Sequence, residues 1–248
     1  MAVSILRWKG GSGGDMLLHM MSNTCTVLNT RYTKISDSGK TEINFSWLDF
    51  DCLTELQKIA LRPEYISQVN LETLKEEILQ QKKKSELVWI KSHYYDTDVF
   101  NDITVDLVVD PLGLSFAVES NIKKTETLTL NFNKLASMIT NEEIKIKYSM
   151  YLVAVDMLNP EKNISDQTID VSDLLFGRDR LQPMLEKNHM TFNDKCYDKW
   201  LANNFRSLPS KRYKDYIANQ NYDYMDSSLS LSERYSLLAL SNSKFVIL

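Results

Sequence analysis

Glycine is scarce in this chain: there are only 7 glycines among 248 residues. Four of the seven, Gly10, Gly11, Gly13 and Gly14, fall within one short segment. A segment so rich in glycine concentrates backbone freedom at one site and indicates a turn in which successive N–H groups can converge. The scarcity elsewhere therefore directs attention to this segment.

The chain also lacks the features of several protein classes. Its three cysteines, Cys25, Cys52 and Cys196, form no C-x-x-C pair, which favours reduced thiols and argues against structural zinc. No segment reaches the roughly 18 apolar residues that cross a bilayer, and no basic N-terminal region precedes an apolar run. The net charge of −4 gives no global attraction to nucleic acid. We therefore expect a cytoplasmic protein without a membrane partner, whose contacts with any polyanion are local.

The glycines lie between a predicted strand and a predicted helix. Residues 3–8 form a short apolar run typical of a buried strand, and the apolar residues after the loop have helical spacing. The N–H groups of a glycine turn and of a helix N-terminus together favour an anion. The segment is therefore predicted to bind phosphate; a glycine turn without a ligand is the alternative.

The end of the loop departs from the usual phosphate-binding pattern, G-x-x-x-x-G-K-[ST]. Asp15 and Met16 stand where that pattern has lysine and a hydroxyl residue. Lys9, at the entrance of the loop, is predicted to supply the missing positive charge by folding back over the phosphates. Asp15 either stabilises the helix N-terminus or, beside a phosphate, binds magnesium or acts as a base.

Farther along the chain, strand-like and helix-like segments alternate. Strands are predicted at 86–91, 102–110 and 167–175, and helices at 48–61, 70–84, 115–122, 142–159, 180–189 and 193–205. This alternation predicts an α/β fold with a doubly wound, mostly parallel sheet and helices on both faces, of the P-loop type. We expect one domain, 1–248, in which 176–248 is mostly helical.

Two helices carry predictions about their buried faces. Helix 70–84 is expected to begin after Asn70 as its cap. The residues expected to face the core are Leu71, Leu74, Ile78 and Leu79 in this helix, and Ile144, Tyr148, Tyr151, Leu152, Val155 and Leu158 in helix 142–159.

Polar residues at the carboxyl ends of the strands are candidate site residues, because ligands of such sheets lie there. His93 follows strand 86–91, where a neutral imidazole can accept the proton of an acceptor hydroxyl. Asp110 ends strand 102–110 and either ligates magnesium or caps the turn at Pro111. Lys9, Asp15 and His93 are the predicted catalytic residues, and Asp15 and Asp110 the predicted metal ligands. For His93, a surface or packed histidine remains the alternative.

Two later segments carry basic residues. Arg178 and Arg180 either clamp the transferring phosphoryl oxygens or are ordinary surface charges. In segment 207–225, basic residues are interleaved with tyrosines, which suits a nucleic-acid backbone with a stacked base or an amphipathic surface helix. The predicted nucleic-acid-binding residues are Lys211, Arg212, Tyr213 and Lys214. The predicted nucleotide-binding residues are Lys9, Gly10, Gly11, Ser12, Gly13, Gly14, Asp15, Met16, Arg178 and Arg180.

The loop "ILRWKGGSGGDM" resembles that of bacteriophage P-loop kinases that phosphorylate 5-hydroxymethyluracil in DNA during thymidine hypermodification. The resemblance is confined to this loop. It implies transfer of the γ-phosphoryl group of ATP, or of another nucleoside triphosphate with Mg²⁺, to the hydroxymethyl group of the base. It also implies duplex DNA as substrate, with the base flipped out of the stack, and the cytoplasm of an infected bacterium as the location.

Two other functions stay open. The segment "WIKSHYYD" is similar to the K-T-H segment of sulfotransferases, in which the histidine is the catalytic base, so a sulfotransferase-like enzyme using Lys9 and His93 is one alternative. The corresponding sulfotransferase strand ends in R-x-P, whereas here Asp110 replaces the arginine, which weakens the case for a 3′-phosphoadenosine donor. A non-catalytic nucleotide-binding P-loop protein is the second alternative, because the Lys-Ser/Thr pair is missing.

Overall fold

Five strands form one parallel sheet in the computed structural model of the chain. The strands are β1 (Val3–Trp8), β2 (Thr26–Val27), β5 (Val88–Ser92), β6 (Asn101–Val108) and β7 (Thr168–Asp170), in the order β2-β5-β1-β6-β7. A separate antiparallel pair consists of β3 (Thr33–Ile35) and β4 (Thr41–Ile43). The residues that the structure describes are 3–9, 11–14, 17, 26–27, 33–35, 41–43, 55, 70–82, 88–92, 101–124, 139–159, 167–187, 192 and 194–243.

Helices make up most of the second half of this described part. They are α1 (Leu71–Lys82), α2 (Leu114–Lys124), α3 (Glu142–Leu158), α4 (Val171–Phe176), α5 (Arg178–Lys187), α6 (Asp194–Asn204), α7 (Lys211–Ala218) and α8 (Leu231–Ser243), with a 3₁₀ turn at Phe205–Ser207. The chain is therefore of mixed α/β class with a parallel sheet, which confirms the coarse part of the predicted fold class.

Local sequence signals set where several helices begin. The side chain of Asn70 accepts hydrogen bonds from the N–H groups of Glu72 and Thr73 at 3.0 and 3.1 Å, so the predicted cap of α1 is confirmed. Asn141 caps α3 and Ser210 caps α7 in the same way. These caps satisfy N–H groups that have no partner within their own helix.

The predicted buried face of α3 is wrong in part: Tyr151, Val155 and Leu158 do pack against the core, as partly buried residues. The residues that α3 buries are Ser149, Met150, Val153, Ala154 and Met157, whereas Ile144 is 55% exposed. This helix packs against both α2 and α8. Small side chains such as Ser149 and Ala154 let the neighbouring helices approach closely, and a count of large apolar residues does not detect that face. In α1 likewise, Leu74 is buried but Leu71 and Leu79 are exposed.

The predicted strand over 167–175 is wrong in its second half. Strand β7 ends at Asp170, and α4 begins at Val171. A carboxylate oxygen of Asp110 accepts the N–H of Ser172 at 2.9 Å and so satisfies one of the first amides of this helix. A side chain 62 residues earlier in the chain therefore helps to end the strand.

The core lies around β1, β6, α2 and α4. Leu6, Val105, Leu107 and Leu174 are fully buried in it, and so is Phe116, whose ring meets Trp200 edge-on with centroids 5.6 Å apart. This core fixes the ends of β1 and β6, where the candidate site lies.

Candidate functional site

Strands β1 and β6 of the sheet end at a topological switch point. They are neighbours, but from β1 the chain continues to β2 at one edge and from β6 to β7 at the other. In open α/β sheets, ligands bind outside the carboxyl ends of strands whose connections diverge in this way. The glycine loop follows β1 and Asp110 follows β6, so both lie at this point.

The glycine loop turns tightly directly after β1. The carbonyl of Lys9 accepts hydrogen bonds from the N–H of Ser12 at 3.2 Å and from its hydroxyl at 2.7 Å. Gly11 and Gly13 have φ angles of +88° and +98°, in the region that favours glycine. The N–H groups of Gly11, Gly13 and Gly14 donate no hydrogen bond to any residue that the structure describes. These amides are suited to hold an anion.

Close packing accounts for part of the glycine content of the loop. A Cβ atom on Gly11 would lie 2.3 Å from Nδ2 of Asn121 in α2, and one on Gly14 would lie 2.1 Å from the Trp8 ring. On Gly13 it would lie 3.1 Å from Leu174 in α4. The loop is thus held by β1, α2 and α4, and its glycines have a structural role whether or not a ligand binds.

A buried ion pair joins β1 and β6 two residues before the loop. Nε and Nη2 of Arg7 each donate to one carboxylate oxygen of Asp106 at 2.7 Å. Arg7 is only 9% exposed and Asp106 is fully buried, and the two residues are register partners in neighbouring strands. This ion pair was not predicted from the sequence. The only indication in the sequence is an arginine and an aspartate within two apolar strand segments, and no nearby residue shows that the two side chains pair.

Lys9 contacts the C-terminal end of α3. Its ammonium group donates to the carbonyl of Asp156, and to the carbonyl of Asn159 at 2.9 Å. Carbonyls at a helix C-terminus lack partners within the helix and carry partial negative charge, so a lysine stabilises them. Lys9 therefore lies at the loop entrance, as predicted, but in this structure its charge is directed to α3.

Asp110 acts as a backbone cap in this structure. Its Oδ2 accepts the N–H of Leu112 at 3.2 Å and its Oδ1 accepts the N–H of Ser172. The first bond closes the turn around Pro111, which is the capping role that the sequence left open. Both carboxylate oxygens of Asp110 therefore accept backbone hydrogen bonds.

Two further carboxylates, Asp170 and Asp173, lie where β7 meets α4. Burial raises the pKa of both groups, and the charge of Asp110 raises it further. Nη2 of Arg180 is 3.0 Å from Oδ1 of Asp173 and lowers both pKa values in part. Arg180 was predicted from the sequence as a site residue. Asp170 and Asp173 were not, because they fell within the segment predicted as strand.

Arg178 and Arg180 have different partners. Arg178 forms an ion pair with Asp194 at the start of α6, and its guanidinium lies over the Phe192 ring, 5.4 Å from the centroid. Arg180 faces Asp173 at the carboxyl end of β7. Of the two arginines, Arg180 is thus the one that contacts a residue of the sheet's carboxyl rim.

The basic segment 211–214 forms the first turn of α7. Lys211 extends into solvent, with 91% of its side chain exposed, whereas the Lys214 ammonium lies 4.0 Å from the centroid of the Phe176 ring. The Tyr213 ring is fully buried, and its hydroxyl donates to the carbonyl of Pro111 at 2.8 Å. The stacking role predicted for Tyr213 does not fit this position, because a buried ring offers no face to a base.

Arg212 belongs to a hydrogen-bonded group around Asp226. The carboxylate of Asp226 pairs with Arg212 and accepts from the Tyr216 hydroxyl at 2.7 Å and from the N–H and hydroxyl of Ser228. These donors hold the pKa of Asp226 below its usual range. Arg212 therefore fastens α7 to segment 226–228 as well as offering charge to solvent.

Several predicted site residues lie outside the part that the structure describes: Gly10, Asp15, Met16 and His93. Among the described residues, no group of three or more His, Cys, Asp or Glu side chains is arranged to hold a metal ion. Within the same residues, no helix is both long and apolar enough to span a membrane.

No protein-family model, curated protein or solved structure matches the chain. The chemistry of the site therefore rests on the geometry of its own residues.

Proposed function

We propose that this protein is a kinase that transfers the γ-phosphoryl group of a nucleoside triphosphate to the hydroxymethyl group of 5-hydroxymethyluracil in duplex DNA. The observation that carries the proposal is the glycine loop at the switch point, with left-handed backbone at Gly11 and Gly13 and amides that bond no described residue. We further propose that the sheet is the doubly wound sheet of a P-loop protein, which its diverging connections support.

The loop suits phosphate because its amides provide donors without a side chain in the way. Arg180, 64% exposed at the carboxyl rim, is the proposed clamp for the transferring phosphoryl oxygens, because its mostly exposed side chain can turn towards them by giving up the ion pair with Asp173. Magnesium would arrive with the nucleotide, and Asp15 is the chain's proposed ligand.

The DNA substrate is inferred from the resemblance of the loop, and α7 is the proposed contact. Lys211 is the residue of this segment best placed to meet a phosphate, because it is almost fully exposed and its partner Asp215 lies 3.4 Å away at the surface. Binding should weaken with salt, because each neutralised phosphate releases counterions. Replacing Lys211 by Ala should flatten this salt dependence; Lys75→Ala, on α1, is the matched control.

The position of Lys9 favours a second candidate, a nucleotide-binding protein that does not transfer phosphate. Lys9 bonds the carbonyls of α3, and no lysine ends the loop. Such a protein would bind ATP with magnesium without labelling any acceptor.

The test uses the full chain with γ-labelled ATP, magnesium and duplex DNA containing either thymine or 5-hydroxymethyluracil, followed by digestion to nucleosides. Label on the modified nucleoside alone supports the kinase. A rise in melting temperature with ATP but no label supports the non-catalytic protein. Stabilisation by 3′-phosphoadenosine phosphosulfate instead, with sulfate transferred to a hydroxyl, would replace both by the sulfotransferase alternative.

A further inference from the structure

Asp173 is a buried carboxylate between the glycine loop and the Asp110 turn. Its side chain is 4% exposed. The preceding residue, Ser172, donates its N–H to Asp110, and the following one, Leu174, lies 3.1 Å from where a Cβ atom on Gly13 would be. Asp173 is therefore placed at the switch point by contacts on both sides.

Among the described residues, only the ion pair with Arg180 engages one carboxylate oxygen of Asp173, Oδ1. The backbone N–H of Asp170 bonds the carboxylate, as in a helix capping box. Oδ1 forms the ion pair with Arg180 but accepts no hydrogen bond of good geometry from the described residues. Because the Arg180 side chain is mostly exposed, turning it towards a bound donor would uncover Oδ1.

The charge of Asp173 opposes folding. Burial raises its pKa, the charge of Asp110 adds to this effect, and Arg180 and the Asp170 N–H offset it only in part. An asparagine at this position would accept the same Asp170 N–H without a buried charge. Carboxylates with a pKa raised in this way are common among groups that transfer protons.

We propose that Asp173 is the general base of the phosphoryl transfer, an inference that rests on the proposed kinase function. The acceptor oxygen forms a bond to the γ-phosphorus, and the bond from that phosphorus to the β,γ-bridging oxygen breaks. The nucleoside diphosphate leaves with the electron pair of that bond. The hydroxyl proton moves to Asp173 and then to solvent. When Arg180 turns to the donor, Asp173 loses its countercharge and becomes more basic.

Asp173→Asn tests this role, because the amide keeps the size and the capping oxygen but cannot accept the proton. We expect a melting temperature at least equal to that of the wild type, nucleotide affinity within about twofold, and kcat lower by roughly 10² to 10⁴-fold. The fall of wild-type kcat towards acidic pH should disappear from the residual activity of the variant. Asp179→Asn, an exposed acid on α5, is the matched control and should leave kcat unchanged.

Three results would overturn the inference. Wild-type kcat in the Asp173→Asn variant would exclude a proton-transfer role. A lower melting temperature with an unchanged pH profile would show that the charge serves only the fold. If the wild-type protein labels neither DNA, the kinase proposal fails and the inference fails with it. This outcome is distinguishable because it is measured on the wild type alone.

Discussion

Replacing Asp106 by Asn tests whether the ion pair under the glycine loop governs the stability of the site. The substitution keeps the shape of the side chain but removes the negative charge that faces Arg7. Both side chains are buried, and both bonds between them are 2.7 Å long. Arg7 remains protonated at any ordinary pH, so a buried positive charge loses this countercharge.

The expected loss is large. Removing one partner of a buried pair destabilises proteins by about 3–5 kcal/mol. For a chain of this size, each kcal/mol lowers the melting temperature by about 2–4 °C, so the variant should melt roughly 6–20 °C below the wild type. Replacing both residues, Arg7→Met with Asp106→Leu, should cost much less than the sum of the single changes, because no buried charge remains.

Thermal and urea denaturation followed by circular dichroism measure these differences. Glu72→Gln is the matched control, because it removes the exposed pair with Lys75 and should have little effect. If Asp106→Asn melts within a degree of the control, the pair is not buried as described and the reasoning fails. If the double variant is as unstable as the sum of the single ones, packing at these positions dominates over charge.

Three other changes test separate contacts. Lys9→Met should lower stability by about 1–3 kcal/mol, measured by urea denaturation without nucleotide, because two hydrogen bonds to the carbonyls at the end of α3 are lost; no loss would show that Lys9 does not rest there. Gly11→Ala should cost about 1–3 kcal/mol from its positive φ, plus the contact with Asn121, and adding Asn121→Ala should restore only part of the melting temperature. Asp226 has a lowered pKa, so its stabilisation is complete above the ordinary aspartate pKa and is lost as pH falls through the folded value. Acid titration should therefore destabilise the wild type more than Asp226→Asn, and equal losses would contradict this.

The sequence predicted elements whose signals are local. Strand β1, the Asn70 cap and helix α2 follow from short apolar runs and one capping side chain, and the structure confirms them. The core-facing side of α3 was predicted only in part, because this helix also packs against two others through small residues. The prediction of a strand over 167–175 is wrong after Asp170 because Asp110, far away in sequence, caps helix α4.

At the candidate site too, the sequence predicted only the feature whose signal is local. Glycine spacing predicted the loop, but the partners of Arg7, Lys9 and Tyr213 lie 99 to 150 residues away along the chain. No periodicity in a single sequence reports such pairings. The fold brings them together because β1 and β6 are adjacent and because α3 and α7 end or begin near the carboxyl rim.

The contact between Lys9 and α3 also bears on how tightly a nucleotide can bind. A donor that recruits Lys9 must replace two hydrogen bonds to helix carbonyls, each with a net contribution of about 0.5–1.5 kcal/mol. The apparent nucleotide affinity is then lower, by about 1–3 kcal/mol or roughly 5 to 150-fold, than that of a loop whose lysine already faces the phosphate site before binding. Lys9→Met removes both the hydrogen bonds to the α3 carbonyls and the proposed contact with phosphate. The nucleotide affinity of the variant should therefore fall by less than it would if the lysine faced the phosphate site before binding. In the proposed complex the amides of the glycine loop, against which Trp8, Asn121 and Leu174 pack, would carry the rest of the affinity.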